Sequence, residues 1–276
     1  MFTAPFPKMN WQMKVIPERA MFLTSVLSNL IKQNYQPDEV LVITDDGKGK
    51  ILEDVIPDEL FDLLNLRVLE SGGVGLSRAR NRGVEASTGD ILVFMDDDIV
   101  LPDTSLLFRV REAFEEDEKL GIYGVQVKPI FHNSVALPDK FNWLFGCTDD
   151  NAVRPIGAFF VVRREIFNVV GLFDENLGRK GNLISGEETE LFIRVQKHMG
   201  LKVVLDNRFK VYHLIHNRKW RYILRRAFAE GISKARFKNY DMSVERKYLF
   251  RYLKDPVGLL ITVVATTGYV VGRLRA

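Results

Sequence analysis

From Pro17 to Asp103 the apolar residues of the chain alternate between two rhythms. Residues 17–33 (PERAMFLTSVLSNLIKQ) open on a proline, which suits the first turn of a helix, and carry Phe22, Val26 and Leu30 at helical spacing. The run EVLVI then predicts a short buried strand that stops at the turn-rich Thr44-Asp45-Asp46-Gly47. The same alternation continues: ILEDVIPDELFDLL predicts helix, LRVLE strand, LSRARNRGVEAS helix and ILVFM another continuous apolar strand. Strands and helices in this order imply a parallel sheet covered on both faces. Ligands of such sheets bind outside the carboxyl ends of the strands. Asp45 and Asp46 end one predicted strand and Asp96, Asp97 and Asp98 end another, so two acidic clusters are expected to face one crevice.

The second half has a different texture. A helix is expected near residues 103–116, a strand in GIYGVQVKPI, and a loop bordering a site over 131–156, which is rich in aromatics, Pro, Asn and Asp without a period. GAFFVV predicts a strand, RREIFNVV a short helix, and the glycine-punctuated GLFDENLGRKGNLISG a loop. A helix from Glu187 to Met199 precedes two strands, KVVLD and FKVYH, and residues 219–273 are helical and basic.

Composition narrows the class. A chain of 276 residues with 46% hydrophobic and 27% charged residues buries a sizeable core in one large or two small domains. Its formal charge of +3, from 39 Lys+Arg against 36 Asp+Glu, is too even to point to nucleic acid. Cys147 is the single cysteine, which excludes an intrachain disulfide and suits a reducing compartment. The N-terminal MFTAPFPKMNWQMK is broken by Pro5 and Pro7 and does not read as a secretory signal.

Three consecutive carboxylates after an apolar strand repel one another and ask for a cation. In an extended segment Asp96 and Asp98 lie on one side of the chain and Asp97 on the other. Hard oxygen ligands without a thiolate suit Mg2+ or Mn2+ better than Zn2+. Two other glycine-rich stretches carry no such weight. GGVGLSR has Arg78 where a dinucleotide fingerprint needs glycine, and TDDGKGK lacks the first glycine and the closing Ser/Thr of a phosphate-binding loop.

Several stretches together resemble the family 2 glycosyltransferases of the GT-A fold: VLVITDDGKGK, GLSRARNRGVEASTGDILVFMDDDIVLPD, GAFFVVRREIFNVVGLFDENL, GEETELFIRVQKHMG and VYHLIHNRKW, in that order. The likeness covers roughly residues 36–240. In the tail RYILRRAFAEGISKARF it is closest in feel to archaeal and bacterial enzymes of glycan biosynthesis that act on dolichyl or polyprenyl phosphate glycans. The resemblance implies an α/β, Rossmann-like GT-A domain over residues 1–217, with a central, mostly parallel sheet flanked by helices and a basic helical tail over 218–276 that associates with a membrane.

It also implies roles. Asp45, with Asp46 beside it, contacts the nucleotide base; Arg80 and Arg78 line the nucleotide site; Asp96 and Asp98 form the D-x-D motif that meets the ribose and the metal; His213 is a third metal contact. Glu188 takes the place of the family's catalytic aspartate, and Glu187 stands on the acceptor side. A divalent cation neutralises the departing diphosphate, so one carboxylate base suffices to take the proton of the acceptor hydroxyl as its oxygen inverts the anomeric carbon. The expected activity is a hexosyltransferase using a nucleotide sugar, a UDP-sugar first, and a lipid-linked or glycan acceptor.

Two features set competing expectations. SGEE places Ser185 three residues before Glu188, the spacing of a capping box in which Glu188 would only satisfy backbone donors. Yet Glu188 shares a helical face with Leu191, Phe192 and Val195 and so points toward the body of the protein. At the front, where the family begins with a central apolar strand, the chain has MNWQMKVIPERA. Either residues 12–16 fill that position imperfectly or the reading frame is damaged there. The second option leaves a catalytically silent GT-A domain, acting as a membrane-attached partner, as the alternative function. Finally, the segment 256–272 is about 17 residues without charge, with Arg246, Lys247, Arg251 and Lys254 before it and Arg273 and Arg275 after it. Basic flanks around an apolar helix suit the cytoplasmic face of an anionic membrane. A homo-oligomer is left open.

Overall fold

The structure is a computed structural model that describes residues 16–44, 49–73, 75–180, 183–235 and 256–274. The first half follows the alternation in the sequence: α1 (Ile16–Ile31), β1 (Val40–Thr44), α2 (Gly49–Val55), α3 (Asp58–Leu63), β2 (Leu66–Glu70), α4 (Leu76–Ala86), β3 (Ile91–Met95), β4 (Ile99–Val100) and α5 (Leu106–Glu116). The second half adds β5 (Leu120–His132), a 3-10 turn (Asp139–Phe145), β6 (Phe159–Arg163), α6 (Ile166–Val170), the hairpin β7 (Gly178–Lys180) and β8 (Leu183–Ser185), α7 (Glu187–Met199), β9 (Lys202–His216), α8 (Trp220–Ala235) and α9 (Pro256–Leu274).

Helices flank the sheets as expected of the α/β class, and the pairing inside them is mixed. β1 and β2 form a parallel pair, while the main sheet has the order β3-β6-β5-β9-β4. In it β5 and β9 run parallel and the remaining neighbours antiparallel. The two predicted strands KVVLD and FKVYH are one long strand, β9, whose register against β5 jumps between Val125 and Gln126, from Asp206 to Lys210.

That irregularity builds the site. β3 and β4 are the two ends of the sheet order, yet only Asp96, Asp97 and Asp98 connect them. Four residue steps span at most about 14 Å, whereas four strand spacings across a flat sheet are about 19 Å. The sheet must therefore bend, and a bulged strand bends where the extra residues sit. The three aspartates span this bend and line the cavity beside it.

The core lies on both faces of β5 and β6, whose runs from Leu120 to Val127 and Phe159 to Val162 are buried. β1 and β3 are less covered: among the described residues β1 pairs with β2 alone and β3 with β6 alone, and their residues Val40–Thr44, Val93 and Met95 border one cavity. The expected first strand cannot be placed, since residues 12–15 lie outside the described residues and Ile16 already opens α1.

The last two helices, α8 and α9, pack backbone to backbone. A β-carbon at Gly231 would run into the Ala265 carbonyl, and one at Gly268 into the Phe228 carbonyl. The opposite side of α9 shows Leu259, Leu260, Val263 and Val270 to solvent. Its 19 residues make it the one helix among those described that is long and apolar enough to cross a bilayer.

Candidate functional site

The end of β3 and the end of β9 meet where the sheet bends. Ile99 pairs with His213 across β4 and β9, which fixes the histidine opposite the aspartates. His213 Nε2 lies 3.0 Å from Asp98 Oδ1 and 4.0 Å from Asp96 Oδ2. The three side chains can each offer one ligand atom within 4.8 Å of the others. Burial opposes a charge on His213, but hydrogen bonding to Asp98 and to Cys147 outweighs it and holds the imidazole pKa well above its usual value. Two carboxylates and an imidazole form a donor set that fits Mn2+ or Mg2+, with room for further oxygen ligands on the open side.

The ring of His213 is held from behind. Gly146, at φ +68°, brings the backbone so close that a β-carbon there would lie 3.5 Å from His213 Cε1, and the next residue places Cys147 Sγ 3.7 Å from Nδ1. Both residues come from the segment 131–156 that the sequence marked as bordering a site. Burial raises the Cys147 thiol pKa, so the neutral thiol is favoured.

A second acidic group stands at the start of α7. Its N-cap is Gly186, at φ +110°, with no side-chain cap, and Ser185 Oγ instead donates to Glu230 Oε2 at 2.5 Å. The capping box expected from SGEE does not form, because the left-handed glycine starts the helix one residue later than Ser185 would. Glu188 is thus released from a capping role.

Glu187 and Glu188 are buried, 2% and 8% exposed. Arg80, reaching from α4, donates to Glu187 Oε1 at 2.7 Å and to the Gly157 carbonyl at 2.8 Å, and its guanidinium lies 5.1 Å from the Phe160 ring. Gly157 permits this approach: a β-carbon there would sit 3.3 Å from both Arg80 Nη2 and the Glu188 carboxyl carbon. Burial, then the neighbouring Glu188, raises the Glu187 pKa above the carboxylate range despite Arg80. Burial thus favours the protonated form of Glu187.

Asp96, Asp98, His213, Arg80, Glu187 and Glu188 all line one cavity of about 1140 Å³. Arg78 does not line it; it is half exposed, bonding the Ser71 carbonyl and Glu175. Asp45 and Asp46 lie outside the described residues. Sequence reasoning missed Cys147 as a neighbour of His213, although its being the single cysteine in a site-bordering loop was a signal. It also missed the inward side of α8, where Tyr222, Arg226, Glu230 and Lys234 line the same cavity at a spacing of four.

Comparison with known proteins gives this geometry a context. The family model for glycosyl transferase family 2 matches residues 18–171. A glucosyl-dolichyl phosphate glucuronosyltransferase of Haloferax volcanii is 24% identical over 230 residues, covering 79% of this chain and 72% of that protein. Among solved structures, the mannosyltransferase PcManGT from Pyrobaculum calidifontis, in complex with GDP-Man and Mn2+, superposes with a TM-score of 0.56 at 16% identity, over 92% of this chain and 70% of that one. S. aureus TarS 1–349 in complex with UDP-GlcNAc follows with a TM-score of 0.50 at 15% identity, over 91% and 69%. At such identities the structural likeness speaks to the GT-A fold alone.

Proposed function

The chain belongs to glycosyl transferase family 2, and from that premise we propose that it is a metal-dependent, inverting enzyme that moves a sugar from a nucleotide sugar to a lipid-linked or glycan acceptor at a membrane. What carries the proposal is the convergence in one cavity of the Asp96, Asp98 and His213 cluster with the buried Glu187–Glu188 pair. Asp96, Asp98 and His213 would hold the divalent cation, which supplies neutralisation of the diphosphate as it leaves. Glu188 accepts the proton of the acceptor hydroxyl; the hydroxyl oxygen forms its bond to the anomeric carbon from the face opposite the leaving group. The bond from that carbon to the diphosphate oxygen breaks, and the nucleoside diphosphate departs with the electron pair. Arg80 fixes Glu187 beside this base, and Asp45 with Asp46 takes the base of the nucleotide.

A lipid-linked acceptor is favoured by the Haloferax volcanii relative, whose name describes a dolichyl phosphate substrate, and by α9, whose outward face is apolar. A screen of UDP- and GDP-sugars, scoring release of nucleoside diphosphate with Mn2+ and a sugar-charged prenyl phosphate, tests the reading. No release from any donor would overturn it. The second reading, a catalytically silent domain, rests on the unpaired edges of β1 and β3 among the described residues. Titration of UDP with and without Mn2+ separates the two.

Two further outcomes follow. Leu260→Asp together with Val263→Asp changes only the exposed side of α9, so the protein is expected to stay folded but to stop floating with vesicles that contain anionic lipid. Unchanged flotation would detach α9 from the membrane role. Cys147→Ala removes the partner of His213 Nδ1 and is expected to weaken Mn2+ binding about tenfold, the lower end of what outer partners of metal ligands contribute. Manganese titration by electron paramagnetic resonance reads this directly; an unchanged affinity would make Cys147 a packing residue.

A further inference from the structure

The inward stripe of α8 contains more charge than the fold requires. Tyr222, Arg226, Glu230 and Lys234 follow one another every four residues and therefore share one face of the helix, and all of them line the cavity that holds Glu188. A different face is sealed: Phe228, Gly231, Ile232 and Ala235 meet Ala265, Gly268 and Gly272 of α9. One helix thus connects the catalytic cavity with the apolar helix at the membrane side.

Two N–H donors on this wall lack acceptors. Arg226 Nε and, from the 3-10 turn, Trp143 Nε1 are both shielded from solvent without a hydrogen-bond partner, and both residues line the cavity. A buried donor left unsatisfied is costly and is retained where something else supplies the acceptor. The Lys234 ammonium stands 5.5 Å from the Trp143 ring, and Lys234 follows Arg226 by two steps of four residues on the same face of the helix. Glu230, the carboxylate between them, already accepts from Ser185. Burial opposes the charge on Arg226, but Tyr222, Glu230 and Glu188 outweigh it and raise its pKa.

We propose that Arg226, Lys234 and Trp143 form a binding site for the phosphate of the acceptor, the group that links its sugar to the lipid. The proposal rests on the lipid-linked acceptor argued above and names the residues that recognise it. A phosphate offers several strong oxygen acceptors to the two orphaned donors and a negative charge to the two cations. It is assigned to the acceptor and not to the donor because Arg226 lines the same cavity as Glu188 and feels its charge, and Glu188 is the group proposed to meet the acceptor hydroxyl. The metal cluster, at Asp96, Asp98 and His213, is a separate place for the donor's diphosphate. The route also fits: an acceptor whose lipid lies along α9 would carry its phosphate onto α8 and its sugar onward to Glu188.

The test uses the full chain with Arg226→Gln, Arg226→Lys and Lys234→Gln, each checked for native melting. Calorimetry with a short-chain prenyl phosphate and, separately, with UDP and Mn2+ reads the two candidate ligands. Arg226→Gln is expected to weaken the prenyl phosphate roughly 10- to 100-fold, the loss of a charge-assisted hydrogen bond, while nucleotide affinity holds and Arg226→Lys recovers part of the loss. In transfer assays the KM for the phosphorylated acceptor should rise far more than kcat falls. Weakened nucleotide binding with unchanged prenyl phosphate binding would overturn the proposal and give the stripe to the donor. Equal prenyl phosphate affinity in all variants would overturn it too. Wild-type protein that binds prenyl phosphate through Arg226 but transfers to no lipid-linked acceptor would keep the site and sink the proposed function instead.

Discussion

Replacing Asp98 with asparagine is expected to abolish Mn2+-dependent nucleotide binding while the protein stays folded. The substitution preserves shape and removes one negative charge from a cluster in which His213 Nε2 stands 3.0 Å from Asp98 Oδ1. Loss of outer partners alone typically lowers metal affinity 10- to 100-fold, so loss of a ligand charge should cost more than about 100-fold. The fold has little reason to change, since the Leu214 N–H donates to the backbone carbonyl of Asp98, which asparagine keeps. The pairing of Ile99 with His213 is likewise independent of the side chain. Calorimetric titration of UDP with Mn2+ should go from a measurable isotherm to none. An isotherm like that of the parent would remove Asp98 from the metal site and leave the aspartates as a turn.

How much of this was readable beforehand depended on how local each signal was. β3 and the aspartates after it were legible because five apolar residues followed by three carboxylates break an ordinary pattern within a single stretch. The start of α7 was legible to the residue, at Glu187, but its cap was not. Ser185 has the right side chain for a capping box, but the helix is capped by the left-handed Gly186 and the Ser185 hydroxyl donates to Glu230 instead. The β7–β8 hairpin before it was read as a loop, since two strands of three residues carry too little alternation to register. β9 was read as two strands, KVVLD and FKVYH, separated by Asn207 and Arg208, and only pairing with β5 shows one strand in which Asn207, Arg208 and Phe209 fall between the partners of Val125 and Gln126. Cys147 and Arg226 were beyond reach for another reason. Each meets a partner distant in the chain, His213 Nδ1 for the one and the cavity lined by Glu188 for the other, and no spacing rule joins them.

Changing Glu188 to glutamine is expected to leave melting and nucleotide affinity near those of the parent and to lower transfer by about 10² to 10⁴, the usual contribution of a general base. Glutamine matches the glutamate in size at a site 8% exposed, and it cannot take the acceptor's proton. Because Gly186 caps α7 without a side-chain bond, the helix start has nothing to lose from the change. The metal and nucleotide contacts assigned to Asp96, Asp98 and His213 lie on β-strand ends and not on α7, so the donor should bind as before. Glu187 makes a poor substitute. Its carboxylate is 2% exposed and engaged by Arg80 at 2.7 Å, and burial favours its protonated form. Single-turnover transfer with donor prebound isolates the chemical step from binding. Should the glutamine variant transfer within a few-fold of the parent in that assay, the base is not Glu188, and the Arg80–Glu187 pair would have to open for α7 to supply one.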